Sequence, residues 1–137
     1  MSRRYFLKTI FIGIVFSSFF LKPTYAENNL VIEVAGEASG KIEITLLPKL
    51  APLHVERIKA LVNAGLYDGV VFHRVIEGFM AQTGDVQFGN SKEFNSNLVG
   101  RGGSSLPNLP SEFSDLPFIK GTVGMARSQD PNSANSQ

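Results

Sequence analysis

Arg74, Phe79, Met80 and Gln82 bring four different contact chemistries into one short stretch: a planar cation, an aromatic wall, a polarizable thioether and an amide. The stretch runs Val-Val-Phe-His-Arg-Val-Ile-Glu-Gly-Phe-Met-Ala-Gln-Thr-Gly-Asp from Val70 to Asp85. Val70, Val71, Phe72, Val75 and Ile76 are β-branched or aromatic and suit a strand. Gly78 breaks the run and permits a turn or bulge. Phe79, Met80 and Ala81 begin a second short run, which Gly84 and Asp85 close. Read as two strands, the unit gathers the four side chains on one surface. Such a surface binds something apolar that carries a carbonyl to be held. Taken singly, Arg74 reads as an ordinary edge charge and His73 as a structural residue; it is the whole string that lifts Arg74 above that reading.

The string Phe72-His73-Arg74-Val75-Ile76-x-Gly78-Phe79-Met80-x-Gln82-x-Gly84-Asp85 resembles the signature of the cyclophilin-type peptidyl-prolyl cis-trans isomerases. A second segment, Lys120-Gly-Thr-Val-Gly-Met-Ala-Arg127, reads as a further strand and is similar to the family motif in which Met-Ala and the next residue line a proline pocket. Ser128 to Gln137 follows the bacterial form of the loop that ends in Gln. The resemblance covers Leu30 to Gln137, about two thirds of a family domain. In the family a Phe-Phe pair usually follows, then further strands, a second helix, and an aromatic, a Leu and a His of the site. The chain therefore reads as truncated at its C-terminus.

The resemblance implies rotation about Xaa-Pro amides, whose C–N resonance sets a barrier of roughly 18–20 kcal/mol. No bond is made or broken, so no cofactor and no metal are expected. Arg74 is implied as the catalytic donor: as the amide twists, its nitrogen regains a lone pair that a fixed, charged fork can bond. Gln82 is the second catalytic residue, holding the substrate carbonyl or orienting the guanidinium, and Gln137 shares that task. Phe79 and Met80 are implied to grip the pyrrolidine ring. Ala126 and the backbone of Arg127 line the groove for the preceding residue, and His73 sits at its rim.

The rest of the chain sets bounds on these readings. One domain fits the length. Residues 1–26 hold four bases and no acid, and the remainder holds 9 bases and 12 acids. The basic balance belongs to the start of the chain and makes no case for nucleic acid. There is no cysteine, and only two histidines, His54 and His73, so neither disulfides nor a transition-metal site are expected.

Met1 to Ala26 reads as a signal peptide: Arg3 and Arg4, an apolar run from Thr9 to Leu21, then Thr24-Tyr25-Ala26 with a cut before Glu27. Ser2 to Lys8 also resembles the twin-arginine export motif, and both export routes stay open. Either leads to the bacterial periplasm, with membrane contact only in transit.

Leu30–Ala35 and Lys41–Leu46 alternate and predict an antiparallel hairpin. Gly36 to Lys41 has one residue too few for a phosphate loop, and Ile42 replaces the hydroxyl residue. Pro52 opens a helix whose stripe is Val55, Ile58, Leu61 and Val62 and which Gly65 stops; His54 is expected on its surface. Val86 to Pro110 reads as loop, and Phe113 is expected to be buried.

Together these readings predict a mainly β fold, a cyclophilin-like closed antiparallel β-barrel with a capping helix, over residues 27–137. The C-terminal strands and second helix lie outside the chain. The expected function is isomerisation of proline-containing polypeptides during folding of exported proteins, by a monomer. A proline-peptide binding module or chaperone with little turnover, and an inactive fragment of a longer isomerase, are the competing readings. Ser104, Ser105, His73 and Asp85 supply the letters of a hydrolase triad but no nucleophile-elbow context.

Overall fold

The computed structural model describes residues 28–137, and the expected signal peptide lies outside the described residues. The elements are β1 (Asn29–Val34), β2 (Gly40–Thr45), α1 (Pro52–Asn63), β3 (Arg74–Ile76) and β4 (Met80–Gln82). The fold is mainly β with one helix, as the sequence predicts. Its ladders among the described residues are β1–β2 and β3–β4, both antiparallel, with isolated bridges Val70–Asn90 and Leu109–Ala134. The expected closed barrel is thus represented by two separate ladders and two bridges.

The first hairpin follows from its alternation. Leu30, Ile32 and Val34 are half-buried on one face while Val31 and Glu33 are exposed, and Leu30 stands opposite Ile44. Leu30 and Leu46 face Ile58 and Val62 of α1 across a shallow cleft, which Lys59 Nζ spans to Asn28 Oδ1 at 3.0 Å.

The helix starts on Pro52, whose missing N–H costs nothing in the first turn. It ends in a Schellman arrangement. Gly65 N donates to Val62 O at 2.9 Å and Leu66 N to Leu61 O at 3.0 Å, with Gly65 at φ +68°. Val55 and Leu61 are the buried members of the apolar stripe. His54 is not a surface residue: its side chain is only 14% exposed and lies 3.7 Å from Glu112.

Around the second hairpin, residues 70–73 follow the turn that Gly69 closes and are bonded on both sides. Val71 N bonds Gly89 O on one side, and His73 N bonds Gln82 O on the other. This segment carries the site residues into β3.

Two expectations fail. Lys120–Arg127 forms no ladder; the chain turns there through Thr122 N to Ile119 O, with Gly121 at φ +92°. β-propensity is not sufficient without a partner strand. Phe113 is 73% exposed, with its ring 5.8 Å from the Arg127 guanidinium carbon. The buried centre instead joins Val55, Leu61, Leu109 and Ala134 to two polar residues, Asp85 and Ser136. No helix among the described residues is long and apolar enough to cross a membrane.

Candidate active site

The β3–β4 hairpin places Arg74 directly opposite Gln82. Arg74 is exposed and Gln82 half-buried. The next residues of the hairpin set Met80, half-buried, beside Gln82 and put Phe79 in the turn, where its ring is 75% exposed. A cation, an amide and an apolar wall are therefore carried by one short, hydrogen-bonded unit.

Gln137 completes it from the far end of the chain. Its Nε2 donates to Gly102 O at 2.5 Å, and its Oε1 accepts from Gln82 Nε2 at 2.9 Å. A carbonyl can only accept, so Gly102 fixes which way the Gln137 amide points, and Gln137 in turn fixes Gln82. The main-chain oxygen of Gln137 accepts from Ala126 N at 2.8 Å. Gln82, Gln137 and Ala126 are thereby joined directly, and Arg127 follows Ala126 as an exposed neighbour.

The segment bearing Gln137 is held by side chains of several elements. Tyr67 OH donates to Ser136 O at 2.7 Å, and Ser136 Oγ donates to Gly84 O at 2.7 Å. Arg57 donates to Asn135 O at 3.3 Å and to Pro107 O at 2.7 Å. Burial pushes the Tyr67 hydroxyl up to about 12, against the opposing pull of the Arg57 charge, so it stays a neutral donor. A Cβ on Gly84 would collide with Ser136 O, so this close approach requires glycine.

Beneath the site Asp85, fully buried, organises the glycine-rich loop. Its Oδ1 accepts from Gln87 N (3.1 Å) and Phe88 N (2.9 Å), and its Oδ2 from Gly100 N (2.7 Å) and Gly102 N (3.0 Å). Burial alone would raise its pKa, but these four N–H groups outweigh burial and hold the carboxyl below its ordinary value. The loop thus delivers Gly102 O to Gln137.

His73 lies just before Arg74 and is half-buried. Both ring nitrogens are enclosed without a hydrogen-bond partner among the described residues, and the ring packs against Gly100. Triad chemistry is absent as well: Ser104 Oγ donates to Asn135 Oδ1, and the Asp85 oxygens are taken by backbone amides.

Sequence reasoning did not single out Tyr67, Asn135 or Gly102. Asn135 bonds Ser104, Leu106 and Asn108. The available signal was the dense polar run Asn132-Ser-Ala-Asn-Ser-Gln137, which has no period and must find its partners elsewhere.

Residues 30–137 match the model of the family described as cyclophilin type peptidyl-prolyl cis-trans isomerase/CLD. A protein of Brucella suis named probable peptidyl-prolyl cis-trans isomerase is 59% identical over 112 residues, covering 81% of this chain and 56% of the relative. Peptidyl-prolyl cis-trans isomerase A of Dickeya dadantii is 33% identical over 116 residues, covering 84% and 56%. A crystal structure of a cyclophilin from Hirschia baltica aligns with TM-score 0.55 at 25% identity, over 80% of this chain and 55% of that one. The chain thus spans about half the length of the relatives it matches. With the family model matched over residues 30–137 and relatives at 59% and 33% identity, the chain belongs to the cyclophilin-type peptidyl-prolyl cis-trans isomerase family.

Proposed function

We propose that this chain accelerates cis–trans rotation of Xaa-Pro bonds in polypeptides exported to the bacterial periplasm, and so assists their folding. The observation that carries the reading is Arg74 opposite Gln82, with the Gln82 amide fixed by Gln137. A planar amide offers its nitrogen no lone pair to bond. A twisted one does, and the Arg74 guanidinium, always charged and forked, then binds the transition state better than either ground state. Phe79 and Met80 supply the apolar grip for the proline ring, and Gln82 and Ala126 hold the flanking backbone. The export part of the reading rests on the charged and apolar composition of residues 1–26.

The test is Xaa-Pro isomerisation followed with the full chain and its Arg74 variants. Arg74→Ala is expected to lose roughly 10²–10³-fold in kcat/KM, as other preorganised donors do. Arg74 is exposed, so folding should hardly change. Arg74→Lys is expected to restore little of the rate, because a point charge on a flexible stem does not replace a fixed fork. Full activity in Arg74→Ala would remove the assignment, and binding of proline peptides without any acceleration would make the chain a binding module.

A further inference from the structure

Arginine is distributed over this molecule with a pattern that the isomerase reading does not require. Beyond residue 26 there are four, Arg57, Arg74, Arg101 and Arg127, in a stretch where acids outnumber bases. All four lie on, next to, or bonded to segments that carry or contact the Gln82–Gln137 pair. Arg74 is the strand partner of Gln82. Arg101 immediately precedes Gly102, whose carbonyl accepts from Gln137. Arg127 follows Ala126, whose N–H bonds the Gln137 carbonyl. Arg57 is committed to the carbonyls of Asn135 and Pro107, which leaves three exposed arginines whose backbones flank the pair.

None of the three has an ion-pair partner among the described residues, where the pairs are Lys41–Glu33 and His54–Glu112. Three acids of the surrounding loops are committed elsewhere. Asp85 takes four backbone amides, Glu112 takes two of the helix, and Asp130 Oδ1 accepts from Asn132 N at 2.9 Å. Glu77 lies at the tip of the β3–β4 turn. Arg127 is also posed: NH1 donates to Ser128 O at 2.8 Å and lies within 3.4 Å of Gln129 O, and the group lies over the Phe113 ring. Its remaining N–H groups make no hydrogen bond among the described residues. A guanidinium held in this way presents a free edge that matches a carboxylate.

We propose that the site selects proline segments with an acidic side chain next to the proline, and that Arg101 and Arg127 are its specificity-determining residues. This rests on the reading of the Gln82–Gln137 pair as the site. Three cations without an ion-pair partner among the described residues, in a stretch where acids outnumber bases, focus a local positive potential, which raises the capture of acidic segments and repels basic ones.

Three peptides identical except for Glu, Ala or Lys before the proline test it on the full chain. The Glu peptide is expected to exceed the Lys peptide by about 10-fold in kcat/KM at low salt, a typical steering effect. The gap should shrink in high salt, where exposed charges are screened. Arg101→Gln should narrow it while leaving the Ala peptide unchanged, and Arg127→Gln should narrow it whatever else it does. Equal rates for Glu and Lys, or a gap that survives both substitutions, overturn the proposal. Should no peptide be accelerated, titration calorimetry with the same three peptides decides it separately. Tighter binding of the Glu peptide then upholds the selectivity while the isomerase reading fails, and equal or absent binding ends both.

Discussion

Gln82 Nε2 lies 2.9 Å from Gln137 Oε1, joining residues 55 positions apart into one amide chain that ends on Gly102 O. Gln82 is thereby oriented before any substrate arrives, and the residue opposite it is Arg74. Gln137→Ala removes the acceptor that fixes Gln82 and leaves Gly102 O without its donor. Each lost hydrogen bond is worth about 1 kcal/mol. The expected outcome is about 10-fold lower kcat/KM, corresponding to about 1.4 kcal/mol of lost preorganisation. Stability should fall by a similar amount in urea unfolding. A variant with wild-type kcat/KM would show that the amide chain does not orient Gln82.

Much of the scaffold was legible from local pattern. Alternation gave the first hairpin, and Pro52, the three-and-four spacing and Gly65 gave the helix to within two residues. Those signals are local, since each element's period is set by its own geometry. Lys120–Arg127 was misread because its β-branched centre carries propensity but a strand exists only with a partner. The family resemblance named Gln82 and Gln137, yet neither their direct bond nor its anchorage on Gly102 has a local trace. Asp85 was equally silent: its four donors come from a loop with no period, and only folding brings them together.

Asp85 makes the fold acid-sensitive. Its folded-state pKa lies below the ordinary carboxylate value, so the unfolded chain takes up the proton first as pH falls. Its stabilising contribution is complete above the unfolded value of about 4 and declines as pH drops toward the folded one. Asp85→Asn can accept through one oxygen only, so two of the four loop amides lose their partner. The expected cost is on the order of 3 kcal/mol, from bonds to a charged acceptor. Chemical unfolding at pH 7 and pH 3.5 measures both parts. The wild type should lose stability between these pH values by more than the variant does, and equal losses would place the acid sensitivity elsewhere.

Tyr67 acts at the opposite end of the pH scale. Its hydroxyl, raised to about 12 by burial, ionises more readily in the unfolded chain, where the ordinary value is about 10. The folded state is therefore favoured fully below about pH 10 and loses that contribution as pH rises toward 12. Tyr67→Phe leaves the Ser136 carbonyl without this donor, at a cost of about 1–2 kcal/mol at neutral pH. It should also flatten the alkaline loss of stability. Thermal melts at pH 8 and pH 10.5 compare the two proteins, and an unchanged alkaline slope in the variant would exclude Tyr67 as its source.

Glu112 supplies what the helix lacks in its own sequence. Ala51, the residue before α1, has no side-chain cap, and the first turn holds no acid. Glu112 arrives from 59 residues away. Its Oε1 accepts from Leu53 N and its Oε2 from His54 N, both at 3.0 Å. Two otherwise unpaired first-turn donors are satisfied by a carboxylate placed at the positive end of the helix. Glu112→Ala should cost about 1–2 kcal/mol, the range of a lost N-cap. Glu112→Gln keeps one acceptor and gives up the charge, so about half that loss is expected, with less dependence on salt. The change should also reach the site, because Arg57 sits one turn along α1 from the capped end and bonds the segment that carries Gln137. Amide hydrogen exchange reads this directly. In Glu112→Ala the Leu53 and His54 amides should lose protection, and the Ala126 amide, bonded to Gln137 O, should follow to a smaller extent. Protection lost at the helix start alone would show that the cap and the site are energetically independent.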